Sequence, residues 1–372
     1  MALMSSFDGI IEEIPGIAVD NFEHRHLDSR AFFLSHYHMD HVQGLDTTEL
    51  ADSLKKTKAF IYTSEITAII INHVMKGSKI LKYVKPLGRE TTLITLPGKP
   101  NKQLKRLFVE VTLIPAGHSF GSTMFLFKTT EKTVLYTGDF RIRINDISKY
   151  GKLHKNNEPI NIDAMYVDTT FLREKYEDFA KRSDTADTVI DEIEKWLKKD
   201  KNNGVSIYMY ANYTFEFILN KIYQRLKMKV YINDYKWEFY RNILHLVPSV
   251  TNDPNETKLH LCSNKYESEN HYKCFTRFHA KRSYLHIHLT AQKWSDYKID
   301  QSPISRKSEK CFDACFSTHC SRNEILHFVA YFNPSKIIGF PNEYVQPDDN
   351  SDEEFVLTPK KSSKRKRRND DI

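Results

Sequence analysis

The sequence contains few cysteines and no long apolar run. Among its 372 residues there are five cysteines, an odd number, and all lie in the last third of the chain: Cys262, Cys274, Cys311, Cys315 and Cys320. Such a set is not the disulfide framework of a small secreted protein, and it indicates reduced thiols or metal ligands. No stretch approaches the roughly 18 apolar residues of a membrane-spanning helix.

The first residues also lack the features of a secretory signal. The segment MALMSSFDGIIEEIPGIAVD carries acidic residues where a signal peptide has a positive segment and an apolar core. We therefore expect a soluble, intracellular protein with no membrane contact. Apolar residues make up 40% of the chain, so a chain of this length can bury two domains, or one large domain with an insertion.

The net charge of +7 lies in the body of the chain. From Pro347 onward, seven basic residues balance seven acidic ones. A basic body favours an anionic partner, although many soluble proteins carry such a charge without one. The tail 346–372 has no periodicity and is predicted to be disordered. Its run KKSSKRKRR (360–368) is typical of a nuclear localisation signal, or of a solvated basic end.

Apolar and aromatic runs predict strands that alternate with amphipathic helices. Such an alternation is typical of the α/β or α+β class. Strands are predicted at 17–22, 30–35, 107–114, 122–128, 133–140, 164–171, 205–210, 284–290 and 336–340. Helices are predicted at 183–199, 212–226 and 321–332. Several polar side chains directly follow a strand, where loops collect functional groups at one edge of a rigid sheet.

The run HYHMDH places three histidines and an aspartate within six residues after the strand 30–35. Imidazoles and carboxylates suit Zn²⁺. In an extended turn His36 and His38 point the same way and can hold one ion, while Asp40 and His41 lie after the bend and can face a second. Further ligands are expected at two glycine-flanked sites after later strands, at His118 in PAGH and at Asp139 in YTGDF.

These motifs together resemble the metallo-β-lactamase superfamily. Within it, the chain is similar to the β-CASP nucleic-acid-processing branch, and most of all to the Artemis-like group of DNA cross-link repair nucleases. The resemblance runs from SSF (5–7) through IAVDNF, VDTTF and CFSTHCS to about residue 340, and the paired threonines of VDTTF are closer to this group than to the related Apollo-like proteins. It implies an α/β fold, an αββα sandwich with an inserted α/β β-CASP domain. The expected boundaries are 1–160 and 315–345 for the sandwich, 161–314 for the insertion and 346–372 for the tail.

The resemblance also implies a set of site residues. His36, His38, His118 and Asp139 would hold the first zinc ion, and Asp40 and His41, with Asp139 bridging, would hold a second ion, either Zn²⁺, Mg²⁺ or Mn²⁺. Asp20 would support the ligands, Asp40 would orient the attacking hydroxide, and Asp168 and His319 would be active-site residues. Ser317 could contact a phosphate. A strand-end aspartate or a lone histidine is also often structural.

A second group of cysteines and histidines resembles the zinc-finger-like site of the same proteins. His260, Cys262 and Cys274 match three of its ligands, whereas Tyr231 stands at the position of the fourth. His271 could supply the missing ligand. Otherwise the site is incomplete, or the group consists of buried thiols and a surface histidine. The remaining cysteines are expected to be inert. A further departure is SFGS (119–122) after PAGH, which removes no metal ligand.

The expected function is that of a zinc-dependent DNA nuclease in the nucleus. The resemblance implies 5′-to-3′ exonuclease activity and endonuclease action at hairpins and overhangs, in double-strand-break end joining or interstrand cross-link repair. The expected partners are single-stranded DNA ends, hairpins, overhangs and repair proteins, and the protein is expected to be a monomer. Aromatic residues of the insertion could stack on unpaired bases or belong to its core: Tyr208, Tyr210, Tyr213, Tyr235, Trp237 and Tyr240. The alternatives are an RNA-processing β-CASP endonuclease, a small-molecule hydrolase and a catalytically silent DNA-binding scaffold.

Overall fold

The computed structural model describes residues 6–99, 102–262 and 282–346. The expectations for the tail, for His271 and for Cys274 lie outside these ranges. Within them, no helix is long and apolar enough to cross a membrane.

The described chain forms nineteen strands and six α-helices. The strands are Ile17–Val19 (β1), Ala31–Leu34 (β2), Ile61–Ser64 (β3), Val84–Leu87 (β4), Thr92–Leu96 (β5), Leu107–Pro115 (β6), Thr123–Lys128 (β7), Thr133–Tyr136 (β8), His154–Lys155 (β9), Glu158–Pro159 (β10), Ala164–Asp168 (β11), Asn203–Met209 (β12), Val230–Tyr231 (β13), Val250–Thr251 (β14), Leu259–Leu261 (β15), Ser283–Thr290 (β16), Ile304–Ser308 (β17), Cys311–Cys315 (β18) and Lys336–Phe340 (β19). The helices are Thr48–Thr57 (α1), Glu65–Val74 (α2), Arg182–Lys199 (α3), Glu216–Leu226 (α4), Asp234–Tyr240 (α5) and Arg322–Phe332 (α6).

Two sheets pack face to face in a sandwich. One is the parallel sheet β1-β2-β3-β4, and the other is the mixed sheet β19-β11-β8-β7-β6-β5. Aromatic side chains join them, since the Phe33 ring of β2 lies 5.3 Å from Phe125 and 4.9 Å from Phe127 of β7. Helix α1 covers the outer face of the first sheet and α6 covers that of the second. The αββα sandwich predicted from the sequence is therefore confirmed.

A third sheet lies between β11 and β19 in the sequence. Its strand order is β14-β13-β15-β12-β16-β18-β17, and every pair except β17–β18 is parallel. Helices α3, α4 and α5 pack on it around one apolar core. Strand β11 pairs with β8 and β19, so it extends the six-stranded sheet past the expected domain boundary at residue 160. The boundaries themselves stay a prediction.

The sheet topology brings the polar strand ends to one place. Strands β8 and β11 are parallel neighbours, so Asp139 and Asp168 emerge at the same edge of the sheet. Strands β1 and β2 are likewise parallel, which brings Asp20 beside the start of HYHMDH. Because the carboxyl ends of parallel strands share an edge, residues far apart in the sequence converge there.

Candidate metal centre

Four side chains at this edge form a compact set of nitrogen and oxygen ligands. His36, His38, His118 and Asp139 each offer one ligand atom, and these atoms lie within 4.8 Å of one another. His38 Nδ1 is 3.1 Å from His36 Nε2 and 3.0 Å from His118 Nε2. Asp139 Oδ2 is 3.6 Å from His36 Nε2 and 3.4 Å from His118 Nε2.

These separations fit a tetrahedral zinc ion. Zn–N and Zn–O bonds of roughly 2.0–2.1 Å place neighbouring tetrahedral ligands about 3.3–3.4 Å apart. The four measured separations, from 3.0 to 3.6 Å, surround this value. The set of three imidazoles and one carboxylate is also one that zinc accepts.

A second set shares Asp139. His41 Nε2 lies 3.3 Å from Asp139 Oδ1 and 3.6 Å from Asp40 Oδ2. The two oxygens of Asp139 therefore face different ligand sets, Oδ2 towards His36 and His118, and Oδ1 towards His41. This is the arrangement that a bridging carboxylate needs.

Each histidine has one ring nitrogen that contacts a hydrogen-bond acceptor outside the cluster. His41 Nδ1 contacts Asp20 at 2.9 Å, His118 Nδ1 contacts the Thr318 carbonyl at 3.1 Å, and His38 Nε2 contacts the Asn212 carbonyl at 2.9 Å. His36 Nδ1 contacts Ser35 Oγ at 2.9 Å. In a neutral imidazole, an acceptor at one nitrogen fixes the proton there, so that the other nitrogen presents its lone pair to the cluster.

Burial keeps most of these imidazoles neutral. The pKa values of His36 and His118 lie well below their usual range, because both rings are buried and other histidines surround them. Burial also lowers the pKa of His38. For His41, burial acts in the same direction, but the Asp139 and Asp20 carboxylates outweigh it and raise its pKa well above the usual range. Neutral imidazole is the form that binds a metal ion.

Asp20 supports the cluster through hydrogen bonds to its carboxylate. Its fully buried carboxylate accepts hydrogen bonds from the Ser35 N–H at 2.7 Å, the Ser35 hydroxyl at 2.5 Å and the Tyr136 hydroxyl at 2.8 Å, besides His41. The structure places Asp20 where the sequence resemblance expected a supporting acid. Sequence reasoning did not single out Ser35 or Tyr136. The available signal was a polar group at the end of each otherwise apolar strand.

Asp168 and His319 form a pair beside the cluster. His319 Nδ1 lies 2.7 Å from Asp168 Oδ2, and His319 Nε2 lies 3.9 Å from Asp139 Oδ2. Thr170 donates its N–H and its hydroxyl to the other oxygen of Asp168. Although burial lowers the pKa of His319, the Asp168 and Asp139 carboxylates outweigh it and raise the pKa to about 9.

Two other residues near the cluster differ from what the sequence suggested. Ser317 is fully buried, and its hydroxyl donates to the His319 carbonyl at 2.8 Å. It therefore holds the loop in place and presents no accessible surface to a phosphate. Ser6, which sequence reasoning did not assign to the site, has its hydroxyl 3.1 Å from His41 Nε2.

The candidate structural zinc site is described only in part. His260 lies in β15 directly opposite Tyr231 of β13, and Cys262 follows that strand. His271 and Cys274 lie outside the described residues. Ser206 of β12 lies between two histidines, with His260 of β15 opposite it on one side and His286 of β16 on the other. Three other cysteines are buried, and burial raises the pKa of the Cys315 thiol to about 11, which fits inert thiols.

A groove of about 600 Å³ opens beside His38 and Asp40. The side chains of Tyr210 (92% exposed) and Tyr235 (64% exposed) line it, together with Tyr213 and Lys236. Tyr240 also lines it but is almost fully buried, and Trp237 packs on the core of the third sheet. Tyr208 packs edge-on against His288. The aromatic residues that sequence reasoning grouped together thus divide between this groove and the core.

Known proteins are similar to this chain in sequence and in fold. A protein-family profile described as "DNA repair metallo-beta-lactamase" matches residues 244–343. "Protein artemis" of Homo sapiens is 30% identical over 347 residues, which cover 91% of this chain and 49% of that protein. The chain is therefore similar to the Artemis-like metallo-β-lactamase/β-CASP proteins. "DNA cross-link repair protein pso2/snm1" of Schizosaccharomyces pombe is 28% identical over 66% of this chain and 40% of that protein.

The sequence similarity covers only part of the length of these relatives. The chain spans about half the length of the artemis proteins that it matches. Among solved structures, a protein of unknown function from Enterococcus faecalis V583 aligns with a TM-score of 0.50 at 14% identity, over 83% of this chain and 75% of that one. This likeness concerns the fold alone.

Proposed function

We propose that this protein is a metal-dependent DNA nuclease that hydrolyses phosphodiester bonds. The observation that carries the proposal is Asp139, whose two oxygens face two different ligand sets. Two ions held by one carboxylate suit in-line attack on a phosphodiester. The names of the relatives, which refer to DNA repair and DNA cross-link repair, support DNA as the substrate.

In the proposed reaction, His36, His38 and His118 would hold the first ion, and Asp40 and His41 would hold the second. Metal ions at these residues would supply a hydroxide near neutral pH and would neutralise charge on the phosphate oxygens. Asp40, whose side chain is 41% exposed, is open to the groove and orients the attacking water. His319, held at Nδ1 by Asp168, carries a proton at Nε2 for the leaving oxygen.

The groove supports a substrate with unpaired bases. Exposed aromatic faces stack on bases of any sequence, and a nearby cation attracts the backbone. Tyr210 and Tyr235 supply such faces, and Lys236 supplies the cation, all within one cavity that reaches Asp40. We therefore propose single-stranded ends, hairpins and overhangs as substrates, with both 5′-to-3′ exonuclease and endonuclease action.

The remaining parts of the proposal rest on the similarity to these relatives. We propose zinc in the first site, and zinc, Mg²⁺ or Mn²⁺ in the second. The proposed setting is the nucleus, in end joining of double-strand breaks or interstrand cross-link repair, with repair proteins as partners of a monomeric enzyme. The domain boundaries at 160 and 315 and the structural zinc site are also proposals.

A gel assay tests the activity and the substrate. Wild-type protein, Asp40→Ala and the exposed control Asp52→Ala would be incubated with 5′-phosphorylated single-stranded DNA, a DNA hairpin and matched RNA. The proposal predicts DNA cutting by wild type and Asp52→Ala, and a loss of at least about 100-fold in Asp40→Ala. Cutting of RNA alone would identify an RNA-processing enzyme. Zinc binding without any cutting would contradict the proposal and favour a silent scaffold.

A further inference from the structure

A second cavity, of about 250 Å³, lies next to the loop that carries His118. None of the proposed metal ligands lines it. Three arginines, Arg141, Arg143 and Arg182, and a single acidic residue, Asp146, are among the residues that line it. At roughly 30 Å³ per water molecule in the liquid, the cavity has room for a polyatomic anion.

Two of the three guanidinium groups already have carboxylate partners. Arg141 Nε lies 3.2 Å from Glu324 Oε2, and the same side chain donates to the carbonyls of Ser317 and Ala180. Arg143 Nε lies 2.6 Å from Asp146 Oδ2, but Asp146 is shared with Lys149, whose Nζ lies 2.5 Å from Oδ1. Asp146 therefore neutralises only one of the two cations that it contacts.

Arg182 is the cation without a carboxylate. Within residues 6–99, 102–262 and 282–346, no acidic side chain lies within ion-pair distance of its guanidinium. Nη1 donates to the Gly117 carbonyl at 2.7 Å, and the group sits over the Phe217 ring at 5.7 Å. Burial, and then the nearby Arg141, lowers the pKa of Arg182 to about 10. The Glu324 carboxylate acts in the opposite direction, but it forms its ion pair with Arg141. A partly buried cation without a direct ion-pair partner is costly, and a bound anion would remove part of that cost.

The local backbone favours the same kind of ligand. Arg182 and Ser183 form the first turn of α3, an 18-residue helix with no side-chain hydrogen bond to cap its start. The free N–H groups and the dipole of a helix N-terminus attract anions. The one acidic residue in that turn, Asp184, is exposed, and it accepts a hydrogen bond from Ser183 Oγ at 2.9 Å.

We propose that this arginine pocket, defined by Arg141, Arg143 and Arg182, binds a phosphate group. The group is either free phosphate or a backbone phosphate of a nucleic acid strand that extends past the metal centre. The pocket adjoins the metal centre through the backbone, because Arg182 holds Gly117, the residue before His118. Binding of phosphate here requires no cleavage. Phosphate binding to the pocket can therefore be tested independently of the nuclease activity.

Titration calorimetry with inorganic phosphate tests the pocket. Wild-type protein would be compared with Arg182→Gln and with Arg89→Gln, an exposed arginine that lies outside the cavity and loses the same charge. We expect phosphate affinity to fall by roughly tenfold or more in Arg182→Gln and to be unchanged in Arg89→Gln, because a charged donor to phosphate is lost only in the former. All titrations use metal-free protein, so that no phosphate binds through ions at the metal centre.

Equal phosphate affinity in wild type and Arg182→Gln would overturn the proposal. Thermal unfolding of each variant shows whether it is folded. If Arg182→Gln does not fold, Arg143→Gln takes its place, since its side chain is 44% exposed. The same expected loss of affinity, and the same overturning result, then apply to that variant.

A second series of measurements identifies the source of the phosphate. Affinity for single-stranded DNA would be measured across a range of salt concentrations for the same proteins. If a strand phosphate occupies the pocket, Arg182→Gln weakens DNA binding and reduces the slope of log affinity against log salt by about 0.7. If DNA binding is unchanged while phosphate binding is lost, free phosphate is the ligand.

Discussion

Asp20 shows how one residue orders the metal-facing side chains. Its carboxylate contacts His41 directly and reaches His36 through Ser35. The residue has a positive φ of 54°, a left-handed conformation that aspartate tolerates better than most residues do. Supporting acids of this kind fix the orientation and raise the basicity of ligating histidines.

We predict that Asp20→Asn weakens binding of the second metal ion. An amide is neutral and cannot match the carboxylate that receives the His41 N–H. The expected loss is about 10- to 100-fold in affinity, measured by titrating Zn²⁺ or Mn²⁺ into metal-stripped protein. The exposed Asp52→Asn variant serves as the control. Unchanged affinity in Asp20→Asn would mean that the carboxylate does not position His41.

Glu216 gives a pH-dependent prediction away from the metal centre. Burial raises the pKa of this carboxyl to about 7, even though a hydrogen bond from Tyr240 acts in the opposite direction. Its ordinary pKa is 4.5. Between these two values the folded state holds a proton that the unfolded state has released. The contribution of Glu216 to the free energy of unfolding is therefore largest below pH 4.5 and falls as the pH rises to 7.

The measurement is urea unfolding of wild type and Glu216→Gln at pH 5 and pH 8. We subtract the free energy of unfolding of wild type from that of Glu216→Gln at each pH. We expect this difference to be higher at pH 8 than at pH 5, because only the wild type loses stability when Glu216 ionises. The exposed Glu238→Gln variant should show no such change between the two pH values. An identical pH dependence of Glu216→Gln and wild type would show that Glu216 titrates normally.

Among the elements, α6 is the one whose start is fixed most completely by local contacts. Ser321 Oγ accepts the Glu324 N–H at 3.3 Å, and Glu324 Oε2 accepts the Ser321 N–H at 2.9 Å, which forms a capping box. Glu324 also binds Arg141, which comes two residues after Asp139. The helix start is thus tied to the strand end that carries the bridging carboxylate.

We predict that Ser321→Ala lowers the free energy of unfolding by about 1 kcal/mol, because one N–H of the first turn loses its acceptor. Chemical denaturation is the measurement. The exposed Ser335→Ala variant, in a loop, should change it by less than about 0.5 kcal/mol. A change in Ser321→Ala as small as in the control would show that the capping box adds little.

Elements with a strong local signal could be predicted from the sequence, and others could not. Helix α3 was expected at 183–199 and is observed at Arg182–Lys199, because its buried residues recur at helical spacing. Strands β13, β14 and β15 have only two or three residues, too few to show a periodic pattern. Helices α1 and α2 were not expected, although Thr47 and Ser64 cap them with side-chain oxygens and gave a usable signal.

The candidate site likewise has features that could be predicted from the sequence and features that could not. The motif HYHMDH identified its own residues as ligands because they are close in the sequence. Asp139 faces two ligand sets because of how β8 pairs with β11 and how the two sheets pack. A local sequence pattern does not contain this information. The same holds for the burial of Ser317 and for the arginine pocket, whose members come from segments about forty residues apart.

At the scale of the whole molecule, the groove joins two regions of the sequence. Tyr37, Met39 and Asp40 come from the first sheet's loop, whereas Tyr210 and Tyr235 come from the segment of the third sheet. His38 also contacts the Asn212 carbonyl. A strand bound in this groove would therefore lie directly beside the proposed metal ions.

We predict that Tyr210→Ala and Tyr235→Ala each weaken binding of single-stranded DNA. Loss of one base–aromatic stack costs about 1–3 kcal/mol, which corresponds to roughly 5- to 150-fold in affinity. Fluorescence anisotropy with a labelled oligonucleotide is the measurement. Phe108→Ala removes an exposed ring on β6, outside the groove, and should bind as wild type does. Equal weakening in all three variants would contradict a specific role for the groove.

Anomalous X-ray diffraction at the zinc edge, on crystals of the wild-type protein grown with Zn²⁺, shows whether Asp139 lies between two metal ions. We expect two peaks near the Asp139 carboxylate, one among His36, His38 and His118, and one beside Asp40 and His41. In Asp139→Ala crystals we expect both peaks to weaken. An absence of anomalous signal at these residues in the wild-type protein would contradict a metal-dependent nuclease.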